Sequence, residues 1–155
     1  VSKPISTLFV DGVQATLAGI TKDKGYRTDI GASVHRGFYA HVLNSRSTTF
    51  PAVVIHPGPE TMGTIHSSGK KAFVTISFPL VVAVELSPDA ECYDLLRACT
   101  ADVRRALILA RDDLSQLGQH DSFEIGPAEP ILSDESKFAL VAMAVGISIV
   151  ETYLT

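Results

Sequence analysis

The hydrophobic positions divide the chain into segments of two periods. In the first segment Ile5, Leu8, Phe9, Val13, Leu17 and Ile20 recur at steps of three and four, the spacing that places side chains on one face of a helix. Ser2 or Ser6 suits a cap for this helix, Pro4 fits its first turn, and Gly25 supplies a stop. Charge is sparse along it, so both flanks are free to touch something. From Tyr26 the pattern changes. Val34, Arg36 and Phe38 alternate with His35, Gly37 and Tyr39, which predicts a strand. Asn44–Thr49 is polar and loop-like. Pro51–His56 is a short apolar run closed by Pro57, Gly58 and Pro59, hence a buried strand with a firm stop. The residues up to Lys71 carry no periodicity, which predicts a long loop at about 58–71, of the kind that is usually functional or disordered. Phe73–Leu86 is strongly strand-like. Pro79 inside it cannot donate a ladder hydrogen bond and marks a bulge or an edge. Loop and strand together suggest an extended hairpin.

The clearest helix is Asp89–Arg111. Ser87 caps it, Pro88 takes the first helical position, and Asp89 and Glu91 complement the dipole. Cys92, Leu95, Leu96, Cys99, Val103, Ala106, Leu107 and Ala110 form an apolar stripe. Asp94, Arg97, Asp102, Arg104, Arg105 and Arg111 fall on the other side, and Gly118 ends the region. Two strands close the chain: Phe123 to Leu132, interrupted by Pro127 and Pro130, and Phe138–Tyr153, joined by a polar turn at Ser133–Ser136. The last strand looks apolar on both faces and is therefore expected to be central. The order α-β-β-β-α-β-β, without repeats or a linker, predicts one α+β domain over 1–155: a mostly antiparallel sheet of about five strands with two main helices packed on it.

Composition narrows the class without naming a function. The 155 residues are 46% hydrophobic and 19% charged, which excludes disordered and fibrous chains. The net charge of −4 argues against a dedicated nucleic-acid binder, which usually carries a basic surplus. Cys92 and Cys99 on one helix would lie ~10 Å apart, beyond the ~7 Å limit for a disulfide, so both read as free buried thiols suited to a reducing compartment. Spaced apolar positions interrupted by Asp11 and Gly12 do not read as a signal peptide. Phe138–Val150, the most apolar run, is shorter than the ~18 residues of a membrane span.

Familiar catalytic patterns fail on inspection. Gly63 with Gly69, Lys70 and Lys71 has the wrong spacing for a phosphate loop, places Lys where Ser or Thr is needed, and precedes a strand. Gly31–His35 lacks the second glycine of a nucleophile elbow. The histidines at 35, 41, 56, 66 and 120 are scattered without metal-ligand spacing. The acidic pairs Asp112-Asp113 and Asp134-Glu135 read as solvated turn residues. Arg97, Arg104 and Arg111 recur every seven residues and line one side of the helix. That side is either a wet face or a charged surface turned to a partner or a pore.

Residues 25–37, GYRTDIGASVHRG, have a distinctive setting: an N-terminal helix before them, then PAVVIHPG, a long hairpin, an arginine-bearing helix and a paired-strand C-terminus. This layout resembles, over nearly the whole chain, the tail terminator (tail-completion) proteins of long-tailed bacteriophages. The resemblance implies an α+β fold and a structural role without catalysis or cofactor. It implies a homo-hexameric ring on the last ring of the tail tube protein, which stops tube polymerisation and offers a surface to the head-tail connector or stopper. DNA would pass through the lumen without specific binding, and assembly would occur in the host cytoplasm. The mean hydropathy of +0.24 leaves apolar material for the heterologous contacts a ring needs. The expected contact residues are Thr64, His66, Lys70 and Lys71 in the loop, with Arg97, Arg104 and Arg111 on the helix; no catalytic, cofactor or metal residue is assigned. The alternatives are another neck, head-tail joining or minor tail protein, a nucleic-acid binder, or a small cytosolic enzyme or ligand-binding domain using His35 and Arg36.

Overall fold

A computed structural model describes residues 2–119, 121–131 and 137–153. Helix α1 spans Ile5–Ala18 and buries Phe9, Val13 and Leu17, the positions set by its helical spacing. Pro4 precedes the helix with extended backbone instead of entering the first turn, and no side chain caps it. The helix also stops before the expected glycine. Gly25, at φ 91°, closes a separate 3₁₀ turn at Lys22–Lys24, a left-handed position that glycine takes without strain.

Strand β1 is only Val34–Arg36, and the strand expected to run through Tyr39 ends there. Gly37 turns at φ 138°, and Tyr39–Leu43 forms the short helix α2. This excursion carries the chain back to lay β2, Ala52–Ile55, parallel to β1. Half of the loop expected at 58–71 is β structure. Strand β3, Glu60–Ile65, pairs antiparallel with the first half of β4, Lys71–Glu85. The missing hydrophobic signal has a physical cause: all six residues of β3 are exposed, so no buried face imposes alternation on them.

The six strands form one sheet, ordered β1-β2-β4-β6-β5, with β5 at Glu124–Ile131 and β6 at Phe138–Thr152; β3 pairs with β4 off this path. The sheet is mixed only through the parallel β1–β2 pair, and β6 lies between β4 and β5 as its apolar faces require. Pro79 breaks nothing in the uninterrupted β4–β6 ladder. It lies where β4 changes neighbour, from β2 at Leu80–Ala83 to β3 at Ala72–Ile76, so its absent N–H is not missed.

The even-numbered residues of β4 and odd-numbered residues of β6 face the main core. Ile76, Phe78, Leu80 and Val82 meet Met143, Val145 and Ile147 there beneath α1 and α3, the latter at Glu91–Leu109. Each fully buried Leu, Ile, Val or Phe contributes about 1.5–3 kcal/mol relative to exposure, so this layer dominates stability. A smaller cluster on the opposite face joins Leu43, Val54, Val81 and Leu140, with Phe50 stacked on Phe138 at 4.8 Å. It covers one end of that face. The other end, around Thr75, Ser77, Ala144, Gly146 and Ser148, is an open trough.

Helix α3 begins two residues later than expected, at Glu91 behind Ala90, without a side-chain cap from Ser87; the Ser87 hydroxyl donates to the Asp89 carbonyl instead. A break at Ala110 separates it from the short helix α4, Arg111–Ser115. Cys92 and Cys99 are free and buried, as their spacing requires. Two stripe assignments fail. Leu95 is 40% exposed and Asp102 is 1% exposed, so the buried arc of α3 is rotated toward the 25–37 segment.

Candidate interaction surfaces

Asp102 explains the rotation. Its carboxylate accepts hydrogen bonds from the backbone N–H of Arg27 (3.2 Å), the N–H of Thr28 (2.8 Å) and the Thr28 hydroxyl (2.7 Å). A buried charge is tolerable when donors surround it in this way. Arg105, one helical turn on, lies 4.8 Å over the Tyr26 ring and donates to the Gly25 carbonyl at 2.8 Å. Gly31 is packed against the end of α1, where its N–H donates to the Ile20 carbonyl. The 25–37 segment is therefore a clasp that joins α1, α3 and the sheet. In it the Arg27 backbone and Thr28 hold α3 in place. Spacing alone assigned Asp102 to the wet face; only contact with Thr28, distant in sequence, marks it.

The same clasp sets the Cys99 thiol. Burial pushes it up to about 11, hydrogen bonding by Thr28 opposes the rise, and the Asp102 charge adds to it. An acid whose folded pKa is raised stays protonated while the unfolded chain ionises. Folding stability attributable to Cys99 is therefore intact below pH ~8.5 and declines as pH climbs toward 11. Urea midpoints at pH 8 and 10.5 should fall less in Cys99→Ala than in the parent; equal slopes would remove the assignment.

The alternative of an enzyme or ligand-binding domain rests on His35 and Arg36, and the fold sets Ser33 beside His35. Ser33 Oγ lies 2.8 Å from His35 Nε2 and donates to the Thr49 carbonyl at 2.7 Å. With its proton already given to Thr49, the buried hydroxyl accepts from the imidazole, the reverse of the polarity a nucleophile needs. Arg36 is paired with Asp11, which also binds Lys3 at 2.9 Å. The hydrogen bond from Arg36, followed by that from Lys3, holds the Asp11 carboxyl below the usual range. A depressed carboxylate stabilises the fold above its unfolded pKa and loses that contribution as pH falls through the folded value. Asp11→Asn should accordingly flatten the loss of stability between pH 5 and pH 3, followed by urea titration; an unchanged acid limb would show the pair to be inert. Beside Arg36 a groove of about 290 Å³ opens between α1 and β3–β4, with Val10, Ile76 and Phe78 below and Arg36, His56 and Glu60 on its rim.

The expected contact residues fall into separate places. Thr64 lies in the irregular stretch of β3, and His66, Lys70 and Lys71 shape the hairpin tip; all four are exposed. His66 Nδ1 accepts from the Ser68 N–H at 3.2 Å, and its carbonyl accepts from the Gly69 N–H at 2.8 Å. The ring therefore organises the turn instead of reaching outward. Lys70 and Lys71 have no ion-pair partner among the described residues. The tip carries apolar groups that the sequence reading passed over: Met62 is 57% exposed, Ile65 59% and Phe73 38%.

The arginine row is divided. Arg97 and Arg104 flank a groove of about 410 Å³ between α3 and β5, floored by Leu96, Ala128, Pro130 and Val141. Arg111 belongs to α4 beyond the break and lies instead by Asp112, at 3.8 Å. The register places the two surviving sets far apart. Val141 faces Val82 across the ladder, and from there to Lys71 at ~3.3 Å per residue is ~36 Å. They also occupy opposite edges of the sheet, at β3 and β5.

Among the described residues no cluster of three or more His, Cys, Asp or Glu could hold a metal ion, and no helix is long and apolar enough to cross a membrane. His120, Asp134 and Glu135 lie outside the described residues. The fold and surfaces define an α+β protein with an exposed hairpin arm at one sheet edge and an arginine-flanked groove at the other. The chain matches no known protein family and no curated protein.

Proposed function

We propose that the protein is a structural component of a long-tailed phage virion: a tail terminator whose copies close into a ring of about six subunits on the head-proximal end of the tail tube. The ring stops tube polymerisation and presents a surface to the head connector or stopper. It lets DNA pass without gripping it, in keeping with a net charge of −4 and the weak attraction such a chain exerts on phosphate. The role requires neither catalysis nor cofactor, and its site is the virion neck.

The observation that carries the reading is the exposed arm. Met62 and Ile65 stand out on the edge strand β3, and Phe73 is exposed on the opposite face of the adjoining β4; exposed apolar groups of this kind are unfavourable unless covered by another chain. A small ligand-binding domain is the second reading, favoured by the groove beside Arg36.

Light scattering coupled to size exclusion, on the protein alone and mixed with purified tail tubes, separates them. We expect a mass near six copies, or electron micrographs with a ring at one end of each tube. A concentration-independent monomer that ignores the tubes would overturn the capping role and turn attention to ligands of the Arg36 groove.

A further inference from the structure

The hairpin arm and the α3–β5 groove are complementary in chemistry. In the β3–β4 register Glu60, Met62 and Ile65 pair with Ile76, Val74 and Ala72, so all three lie on the face of the sheet that bears the helices. The partner residues on β4 are buried, whereas Glu60, Met62 and Ile65 are exposed. One carboxylate and two apolar side chains are thus presented in a row. The groove offers the converse: an apolar floor of Leu96, Ala128, Pro130 and Val141 between Arg97 and Arg104. Arg97 is paired on the surface with Asp94 at 3.2 Å, while Arg104 and Glu60 have no ion-pair partner among the described residues.

Within one chain the two surfaces do not meet, because three strand spacings separate β3 from β5, ~14 Å across the sheet, and Glu60–Ile65, level with Ile76–Ala72, lies ~13–33 Å further along it than the groove at Leu80–Val82. Between chains they can. We propose that the arm of one copy docks in the α3–β5 groove of the next, with Met62 and Ile65 on its floor and Glu60 against Arg104. The contact rests on the ring reading above and specifies its interface. It is heterologous, each copy giving its arm and receiving another's, which is the arrangement that closes into a ring. Strand addition at β5 is disfavoured, since Pro127 and Pro130 deprive that edge of N–H donors. The joint is therefore made by side chains. Glu60, Met62 and Arg104 are exposed and Ala128 is only partly buried, so substitutions there should leave the fold intact.

Charge reversal provides the test. Glu60→Arg and Arg104→Glu should each weaken assembly, whether spontaneous or on tubes, by about tenfold or more in concentration, because like charges face each other. Glu60→Arg with Arg104→Glu in one chain should restore it. The two single variants mixed one to one should also assemble, because alternating copies meet through one native and one reversed contact. A Met62→Cys, Ala128→Cys chain should form disulfide-linked ladders under mild oxidation, while circular dichroism shows each variant folded. If the parent assembles but reversal, mixing and cross-linking leave that assembly unaffected, the arm-in-groove contact is overturned and the ring stands. If the parent never assembles, even on tubes, the ring reading itself falls and the contact with it.

Discussion

Asp102→Ala should lower the unfolding free energy by about 3 kcal/mol, a fall in Tm of roughly 6–12 °C for a chain of this size. The carboxylate is 1% exposed and satisfies two backbone N–H groups and a hydroxyl. Truncation leaves the Thr28 donors buried without an acceptor, and each such group costs about 1–3 kcal/mol. Part of that loss is returned, because the buried charge no longer has to be desolvated. Asp102→Asn keeps the shape but turns an amide toward one of the donors, so it should fall between the parent and alanine. Thr28→Val removes the hydroxyl alone. A double-mutant cycle between 28 and 102 should give a coupling of about 1–2 kcal/mol. Urea titration measures all four proteins; an asparagine variant as stable as the parent, with no coupling, would reduce the clasp to simple packing.

Gly31→Ala should be nearly as costly, about 2–3 kcal/mol by overpacking. A Cβ at this position would lie 2.6 Å from the Ile20 carbonyl oxygen, 2.7 Å from that of Ala18 and 2.8 Å from that of Leu17. All three are backbone atoms at the end of α1, so no side chain can swing aside. The helix end has to retreat, and the Gly31 N–H bond to Ile20 is lost with it. The backbone here does not require glycine for its dihedral angles; the constraint is space alone. Gly25→Ala makes the contrast. Nothing lies within 4 Å of its added carbon, but its φ of +91° strains any side chain, so the expected cost is about 1 kcal/mol. Thermal unfolding of the two variants should place Gly31→Ala clearly lower. The reverse order would mean that the α1 terminus yields easily.

Both sites sit in the 25–37 segment, and this changes what the resemblance rests on. The segment is distinctive because three elements converge on it, each demanding a particular residue: a small one at Gly31, a donor at Thr28, and an aromatic face at Tyr26 beneath Arg105. A residue pattern dictated by packing marks a fold more directly than an activity. The functional reading therefore depends on surfaces, and the arm and groove are where experiment will decide it.

The sequence by itself determined the elements that bury a regular face. The strand character of β4, the buried run Ala52–Ile55, the helical stripe of α1, and the free cysteines of α3 all follow from pattern and spacing. In these the hydrophobic effect acts on every second residue, on every third or fourth, or, in Ala52–Ile55 and Leu80–Val84, on an unbroken run. The tertiary structure alone decided what no local period records. Glu60–Ile65 became a strand because β4 offered it a free edge, although no residue of it is buried. The alternation through Tyr39 gave way to α2 because Gly37 turns the chain and Leu43 finds a pocket on the far face of the sheet. Asp102 went inside because its partner Thr28 comes from far along the chain. Arg97 and Arg104 separated from Arg111 because the helix breaks at Ala110. Periodicity reports the face a segment turns to the core, whereas hydrogen bonds and contacts between distant segments depend on where the chain returns, and that is fixed only when the sheet is assembled.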